Sequence, residues 1–308
     1  KDSMGGTCLN VGCIPTKALI HSADLYKKIR TEAGKNGIIV GQDVTCDFES
    51  MQKKKSQVVK QLVTGVGSLM KANGIRVIKG IAAFTSDKAI EIRSEGEVSE
   101  LTFDKAVIAS GSIPSALPIE GAELAGVVDS TGALSFDEIP GSLCIIGGGV
   151  IGIEMAHIYS SLGSKVTIVE MLPDILMNMD SDITAVMRKI MKKNKVSILT
   201  GTKAGGIEEA GEALSVKVTD DRGEESVIEA EKVLMCVGRR PATEGLGLEA
   251  AGVKTERGRI ITDENFRTTS EDIYAIGDCT GGIMLAHVAS AEGIAAVEHI
   301  MGKAPNID

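Results

Sequence analysis

The stretch from Leu143 to Glu170 leaves little choice of architecture. Leu143-Cys144-Ile145-Ile146 is a continuous apolar run, as a strand buried on both faces requires. Gly147-Gly148-Gly149-Val150-Ile151-Gly152 follows at once, then a helix to about Leu162, then a strand from Lys165 to Val169 closed by Glu170. In that setting G-x-G-x-x-G is a dinucleotide-binding fingerprint. Gly147 makes the turn, Gly149 lets backbone approach a pyrophosphate, and Gly152 lets helix and strand pack closely. The helix start, at Val150 and Ile151, offers amides and a positive dipole end to phosphates. Glu170 stands roughly 20 residues beyond the turn, where an acid binds a ribose 2′-hydroxyl. A carboxylate repels a 2′-phosphate, and the next arginine, Arg188, lies well down the following helix. NAD is therefore favoured over NADP.

A second feature opens the chain: Gly5-Gly6-Thr7-Cys8-Leu9-Asn10-Val11-Gly12-Cys13-Ile14-Pro15-Thr16-Lys17. Two thiols with four residues between them can close a small ring. Such a ring is a poor staple, because the entropy it removes from the unfolded chain grows with loop length. It makes a better redox device, opened by thiolate attack. From the residues alone, two unrelated cysteines at a helix start are as reasonable. A helix over 13–33 is expected after this loop, with Ile14, Ala18, Leu25 and Ile29 near one face. A longer helix is expected over 47–73, with Met51, Val58, Val59, Leu62, Val66 and Leu69 apolar and Lys53-Lys54-Lys55 solvated. Short strands are expected at 75–84, 88–93, 98–103 and 105–109. Beyond Glu170 the pattern predicts a helix over 181–194, with Ile183, Met187 and Ile190 on one face. Strands follow near 196–199, 203–208, 214–219 and 226–230, then a buried strand running into Val237-Gly238-Arg239. Asp272-Ile273-Tyr274-Ala275-Ile276-Gly277-Asp278 is an apolar strand ending in Gly-Asp. A helix from about Leu285 carries Val288, Ala291, Ile294 and Val297.

Composition narrows the partners. The 308 residues suit two domains. A net charge of −9 disfavours nucleic acid or an anionic membrane as partner. No apolar run approaches the roughly 20 residues of a membrane span, and no secretory signal is expected. Six cysteines in this length are not a disulfide framework, so a reducing, cytoplasmic setting is expected. Cys144 and Cys236 read as small core residues. Cys46 and Cys279 carry no motif, and no cysteine–histidine set has zinc spacing, so no metal is expected.

The Cys8–Cys13 segment, Ala109-Ser110-Gly111-Ser112, the run Gly147–Glu154, Val237-Gly238-Arg239, Tyr274–Asp278 and Met284-Leu285-Ala286-His287 together resemble the pyridine nucleotide-disulfide oxidoreductases. Within them they look most like the dihydrolipoamide dehydrogenases. The resemblance covers essentially every segment. It implies an α/β fold with two Rossmann-like dinucleotide-binding domains and small antiparallel β meanders. FAD-domain pieces would lie at about 1–114 and 242–308 around an NAD domain at 115–241. It implies a redox disulfide between Cys8, which exchanges with a dithiol, and Cys13, which faces the flavin. Electrons would pass from dihydrolipoyl groups to the disulfide, to FAD and to NAD. Lys17 and Glu154 resemble an ion pair beside the flavin, stabilising its reduced form. The resemblance further assigns to FAD or NAD contacts Gly6, Thr7 and Ala82, the Ser110-Gly111-Ser112 turn, and Ala204 and Gly238. Gly277, Asp278 and Met284-Leu285-Ala286-His287 complete that set, with Asp278 on the ribityl hydroxyls and His287 acting through backbone and packing. Partners would be the lipoyl groups of 2-oxo acid dehydrogenase or glycine cleavage complexes. The family's first strand with its own G-x-G-x-x-G, and a terminal dimerisation domain bearing a His-Glu pair, have no counterpart in these residues. The expectation is a central fragment of a homodimeric enzyme: itself monomeric, binding FAD weakly or not at all, and inactive with lipoamide. The alternatives are a glutathione- or mercuric-reductase-like enzyme, which Glu170 opposes, and an inactive nucleotide-binding fragment.

Overall fold

A computed structural model of the chain describes residues 3–41 and 44–304. The first segment gives α1 (Gly6–Val11), α2 (Cys13–Glu32) and α3 (Phe48–Ala72). The cysteine stretch, expected as a loop, is thus a short helix that breaks at Gly12, whose φ of −134° and ψ of −116° lie outside the helical region. Strands β1 (Ile81–Phe84), β2 (Ala89–Ser94) and β3 (Glu97–Thr102) form an antiparallel meander, and residues 75–80, expected as strand, stay outside it. Next come β4 (Ala106–Ile108), β5 (Ser112–Pro114), β6 (Val127–Val128) and α4 (Ser130–Ala133). Asp129 caps α4, its carboxylate accepting from the Thr131 and Gly132 amides.

The central βαβ unit is β7 (Ser142–Ile146), α5 (Val150–Leu162) and β8 (Lys165–Val169). After it lie α6 (Ser181–Lys193), β9 (Ser197–Leu199), β10 (Lys203–Ala210), β11 (Ala213–Thr219), β12 (Glu225–Ala230), β13 (Lys232–Met235) and β14 (Arg239–Pro241). The chain then adds β15 (Thr255–Glu256), β16 (Arg259–Ile260), β17 (Ile273–Ala275) and α7 (Ala286–Ile300).

The chain divides into two compact units. The first comprises residues 1–68 and 114–238. Its centre is a five-stranded parallel sheet in the order β6-β13-β7-β8-β9. One side carries a core of Leu143, Ile145, Ile153, Ala156, Tyr159 and Ile168 with the helices; the other joins Cys144, Ile146 and Val233 to the β10–β11–β12 meander through Val216 and Val218. Two faces so covered explain the continuous apolar strands. α5 is buried nearly all round, since the sheet lies on one flank and Leu19 and Ala23 of α2 reach the same core. Residues 1–68 group with the central segment for that reason. The grouping by contact thereby differs from a partition drawn by nucleotide site.

The second unit comprises 69–113 and 239–308. β4 and β17 pair in parallel, and Ile108, Ile273, Ala275, Leu248 and Ile260 form its core, edged by the T-shaped Phe84–Phe103 pair. Asp272 bridges Lys88 and Lys105, tying the meander's loop to β4.

Three helix faces differ from expectation. α2 buries Pro15, Thr16, Leu19, Ser22 and Ala23, while Leu25 is exposed. α6 buries Thr184 and Met191, leaving Ile183 exposed, and α7 buries Ala295 and Ala296, leaving Ile294 and Val297 exposed. In α3 only Phe48 is fully buried. Its lysine run is not uniformly solvated: Lys53 pairs with Glu49 in the open, but Lys55 donates to the Leu134 carbonyl and Gln52, and burial lowers its pKa.

Candidate functional site

In the first unit, Cys8 of α1 and Cys13, the first residue of α2, are disulfide-bonded. Cys8 is half-buried and Cys13 exposed; Gly6 is exposed and Thr7 half-buried beside them. Thr16 donates its hydroxyl to the Gly12 carbonyl at 2.7 Å, and its amide donates to the same oxygen at 3.1 Å. That fixes the first turn of α2 directly behind Cys13. One turn on, Lys17 forms an ion pair with Glu154 of α5. Two turns further, Asp24 meets His157 Nε2 at 2.7 Å, and Asn194 reaches His157 Nδ1 at 3.3 Å. The disulfide-bearing helix is thus bound by polar contacts to the helix that leaves the glycine turn.

The glycine turn has the form its sequence demands. Gly147 has φ +116°, and a Cβ there would lie 2.5 Å from the Cys236 carbonyl oxygen. A Cβ on Gly152 would lie 2.1 Å from the Gly147 carbonyl oxygen, so any side chain would push α5 off the turn. Around Gly149 a Cβ would meet nothing within 4 Å. The turn is closed on its protein side and open at its middle, the shape a pyrophosphate cradle needs. No side chain caps α5 among the described residues, and Gly149, Val150 and Ile151 line its accessible end. The residues fit a dinucleotide phosphate at this N-terminus.

Glu170 ends β8, with its carboxylate accepting from the Gly148 amide at 2.6 Å and the Leu172 amide at 2.8 Å. It thereby belts the turn to the loop after β8. Sequence reasoning did not foresee these amide partners, because an acid far along the chain carries no local sign of what it accepts. Beneath the turn, Cys236 Sγ lies 3.4 Å from the Gly147 carbonyl and 3.5 Å from that of Ile146. Burial, then the nearby Glu170 charge, pushes its thiol up to about 12. Burial likewise pushes Cys144 up to about 12. Ala204 is buried in β10 and presents no side chain to solvent.

The second unit holds another cluster. Ser112 is 2% exposed and donates its hydroxyl to Asp278, while its own Oγ accepts from Arg239 Nε at 2.7 Å and its carbonyl accepts from Arg239 Nη2 at 2.8 Å. Asp278 follows Gly277, whose amide donates to Glu292 of α7 at 2.6 Å. Neither Arg239 nor Glu292 was singled out as an anchor from sequence. Ser110 and Gly111 are half-buried beside Ser112, Ala82 is exposed in β1, and Gly238, with φ +115°, closes the first unit. Met284 is half-buried, whereas Leu285, Ala286 and His287 are exposed at the start of α7. Burial raises the pKa of Cys279, which is enclosed next to Asp278. No group of three or more metal-ligating side chains occurs among the described residues.

Residues 3–293 match the family described as pyridine nucleotide-disulphide oxidoreductase. The chain belongs to that family. Over 100% of its own length it is similar to dihydrolipoyl dehydrogenases, at 41% identity with the one from Staphylococcus aureus and at 41% with the one from Geobacillus stearothermophilus. It spans 65% of the length of each. Among solved structures, the HOCl-induced flavoprotein disulfide reductase RclA from Escherichia coli is similar, with a TM-score of 0.85 and 31% identity over 99% of this chain and 65% of that one. The α/β fold, expected from Leu143–Glu170, is therefore that of the flavoprotein disulfide reductases.

Proposed function

We propose that this member of the family carries the redox-disulfide and nucleotide-binding parts of a dihydrolipoyl dehydrogenase, with FAD and NAD as cofactors. The carrying observation is the Cys8–Cys13 disulfide at the head of α2, with Lys17 of that helix paired to Glu154 on the helix leaving the glycine turn. In this reading Gly147, Gly149, Val150, Ile151, Gly152 and Glu170 hold NAD. In the second unit Ser110, Gly111, Ser112 and Asp278 hold FAD, with Ala82, Gly277 and the start of α7. The partition follows: 1–114 and 242–308 serve the flavin, 115–241 the nicotinamide nucleotide. FAD, when bound, supplies two-electron transfer between a dithiol and the nicotinamide.

The chain's own part is thiol chemistry. A substrate thiolate attacks Cys8 Sγ, the Cys8–Cys13 bond breaks, and Cys13 leaves as a thiolate. The second substrate thiol then attacks the substrate sulfur of the mixed disulfide. The product departs as a cyclic disulfide, and both cysteines remain reduced. Lys17 stands one turn beyond Cys13 on the same helix, in its ion pair with Glu154. Glu154 holds that cation in place, and the Thr16 hydroxyl bond to Gly12 keeps the helix end rigid. Lipoyl groups of multienzyme complexes are the proposed dithiols, the whole enzyme a homodimer, and the cytoplasm its compartment. Among the described residues, no helix is long and apolar enough to cross a membrane.

The test is trapping. Cys13→Ser protein incubated with lipoamide is expected to gain one lipoamide by mass, located on Cys8 by digestion. Calorimetric titration with NADH is expected to give saturable binding that Gly149→Asp abolishes. Absence of the Cys8 adduct would remove the dithiol assignment, and absence of NADH binding would remove the nucleotide assignment.

A further inference from the structure

The nucleotide preference of this site involves more than Glu170. Arg188, which the sequence places well down α6, reaches back to the cofactor edge of the sheet. Its Nε donates to Asp174 Oδ1 at 2.6 Å, and its Nη2 donates to the Thr200 hydroxyl at 3.4 Å. Asp174 is itself fixed, because the same oxygen accepts the Ile175 amide at 2.7 Å. Thr200 directly follows β9, between two residues that bond the Glu170 loop: the Leu199 carbonyl accepts from the Glu170 amide, and the Gly201 amide donates to the Leu172 carbonyl. Glu170 and Thr200 both close parallel strands at their carboxyl ends, the edge where nucleotides bind in such sheets. The guanidinium is therefore anchored on the same loop pair as the acid that reads the ribose. Both partners are partly exposed, Arg188 at 36% and Asp174 at 39% of the side chain. A guanidinium so placed is the natural receptor for a phosphate.

We infer that Asp174 is a specificity-determining residue: it holds and neutralises Arg188, so that the edge beside Glu170 presents no free cation to a 2′-phosphate. This rests on the reading of the glycine turn as a nicotinamide nucleotide site. Selectivity for NAD then has two sources, repulsion by Glu170 and the withholding of Arg188. Discrimination by removing a favourable contact to the wrong ligand works as well as adding one to the right ligand. Removing the Asp174 charge leaves Arg188 held by neutral acceptors only, within the loop cluster and uncompensated.

The experiment measures dissociation constants for NADH and NADPH by calorimetry on the 308-residue chain. It compares the unaltered protein with Asp174→Asn, Asp174→Glu, Arg188→Gln and the double variant Asp174→Asn/Arg188→Gln. Asp174→Asn is expected to raise NADPH affinity relative to NADH about fivefold, the scale of one partly exposed charge pair. Asp174→Glu and the double variant are expected to keep the original ratio, since one retains the restraint and the other removes the cation. Far-ultraviolet circular dichroism confirms the fold of each variant. An unchanged ratio in Asp174→Asn, with NADH still binding, overturns this inference alone, as does a raised ratio that persists in the double variant. Failure of the unaltered chain to bind either nucleotide overturns both this inference and the nucleotide reading beneath it.

Discussion

Cys144 and Cys236 lie one on each side of the glycine turn's foundation. Cys144 is in the strand entering it, and Cys236 is under its first carbonyl. Both thiols are held protonated by burial, with pKa values pushed up to about 12. In the unfolded chain they ionise near pH 9.0. Below that pH they are protonated in both states and do not make stability pH-dependent. Between about pH 9 and 12 the unfolded chain releases these protons and the folded chain keeps them, so stability falls as pH rises. Each thiol contributes on the order of 2 kcal/mol to the loss by pH 10.5. Urea midpoints at pH 8 and pH 10.5 check this. The drop between them is expected to shrink in Cys144→Ala/Cys236→Ala, whatever the variant's stability at pH 8. An equal drop in both proteins would show that other groups carry the alkaline loss.

At the scale of elements, α2 decides whether the disulfide keeps its place beside the nucleotide helix. Its contact rests on Leu19, 1% exposed, and Ala23, fully buried, more than on the exposed Lys17–Glu154 pair. Leu19→Ala is expected to cost about 2–5 kcal/mol by the usual range for a buried leucine. Lys17→Gln is expected to cost under about 1 kcal/mol, because exposed ion pairs contribute little. Thermal melts of both variants test the order, and a larger loss in Lys17→Gln would make the ion pair the main tie. The turn β7–α5–β8 was legible because glycine spacing, apolar strands and a terminal acid each constrain the backbone independently. The face of α2 was not. Its sequence offers Leu25 and Ile29 as plausibly as Leu19, and the choice is made by α5, far along the chain. Lys55 failed for the same reason: its carbonyl partner Leu134 lies in another segment, and composition alone reads three lysines as solvated. The amides of Gly148 and Leu172 on Glu170, and Arg239 on Ser112, were likewise invisible, since nothing local announces which distant donor an oxygen will accept.

At the scale of the molecule, the central segment 114–238 contains the whole parallel sheet with both of its faces covered, by helices on one side and by the β10–β12 meander on the other. What it lacks is the cover that Leu19, Ala23 and Phe48 give to the helical core. α5 is apolar on nearly every side, which a helix tolerates only when it is enclosed. A segment cut to 114–238 is therefore expected to keep the sheet and the glycine turn while exposing one flank of α5. The expected outcome is a cooperative melt at lower temperature than the 308-residue chain, NADH affinity within about tenfold of it, and self-association with rising concentration through the bared flank. Scanning calorimetry, NADH titration and sedimentation at several concentrations measure the three. A cooperative melt with NADH binding makes 114–238 a nucleotide domain in its own right, which residues 1–68 only shelter. Loss of cooperativity would instead make α2 part of the minimal fold. The disulfide helix and the nucleotide turn would then be one folding unit, and the partition by nucleotide site would describe ligands rather than domains.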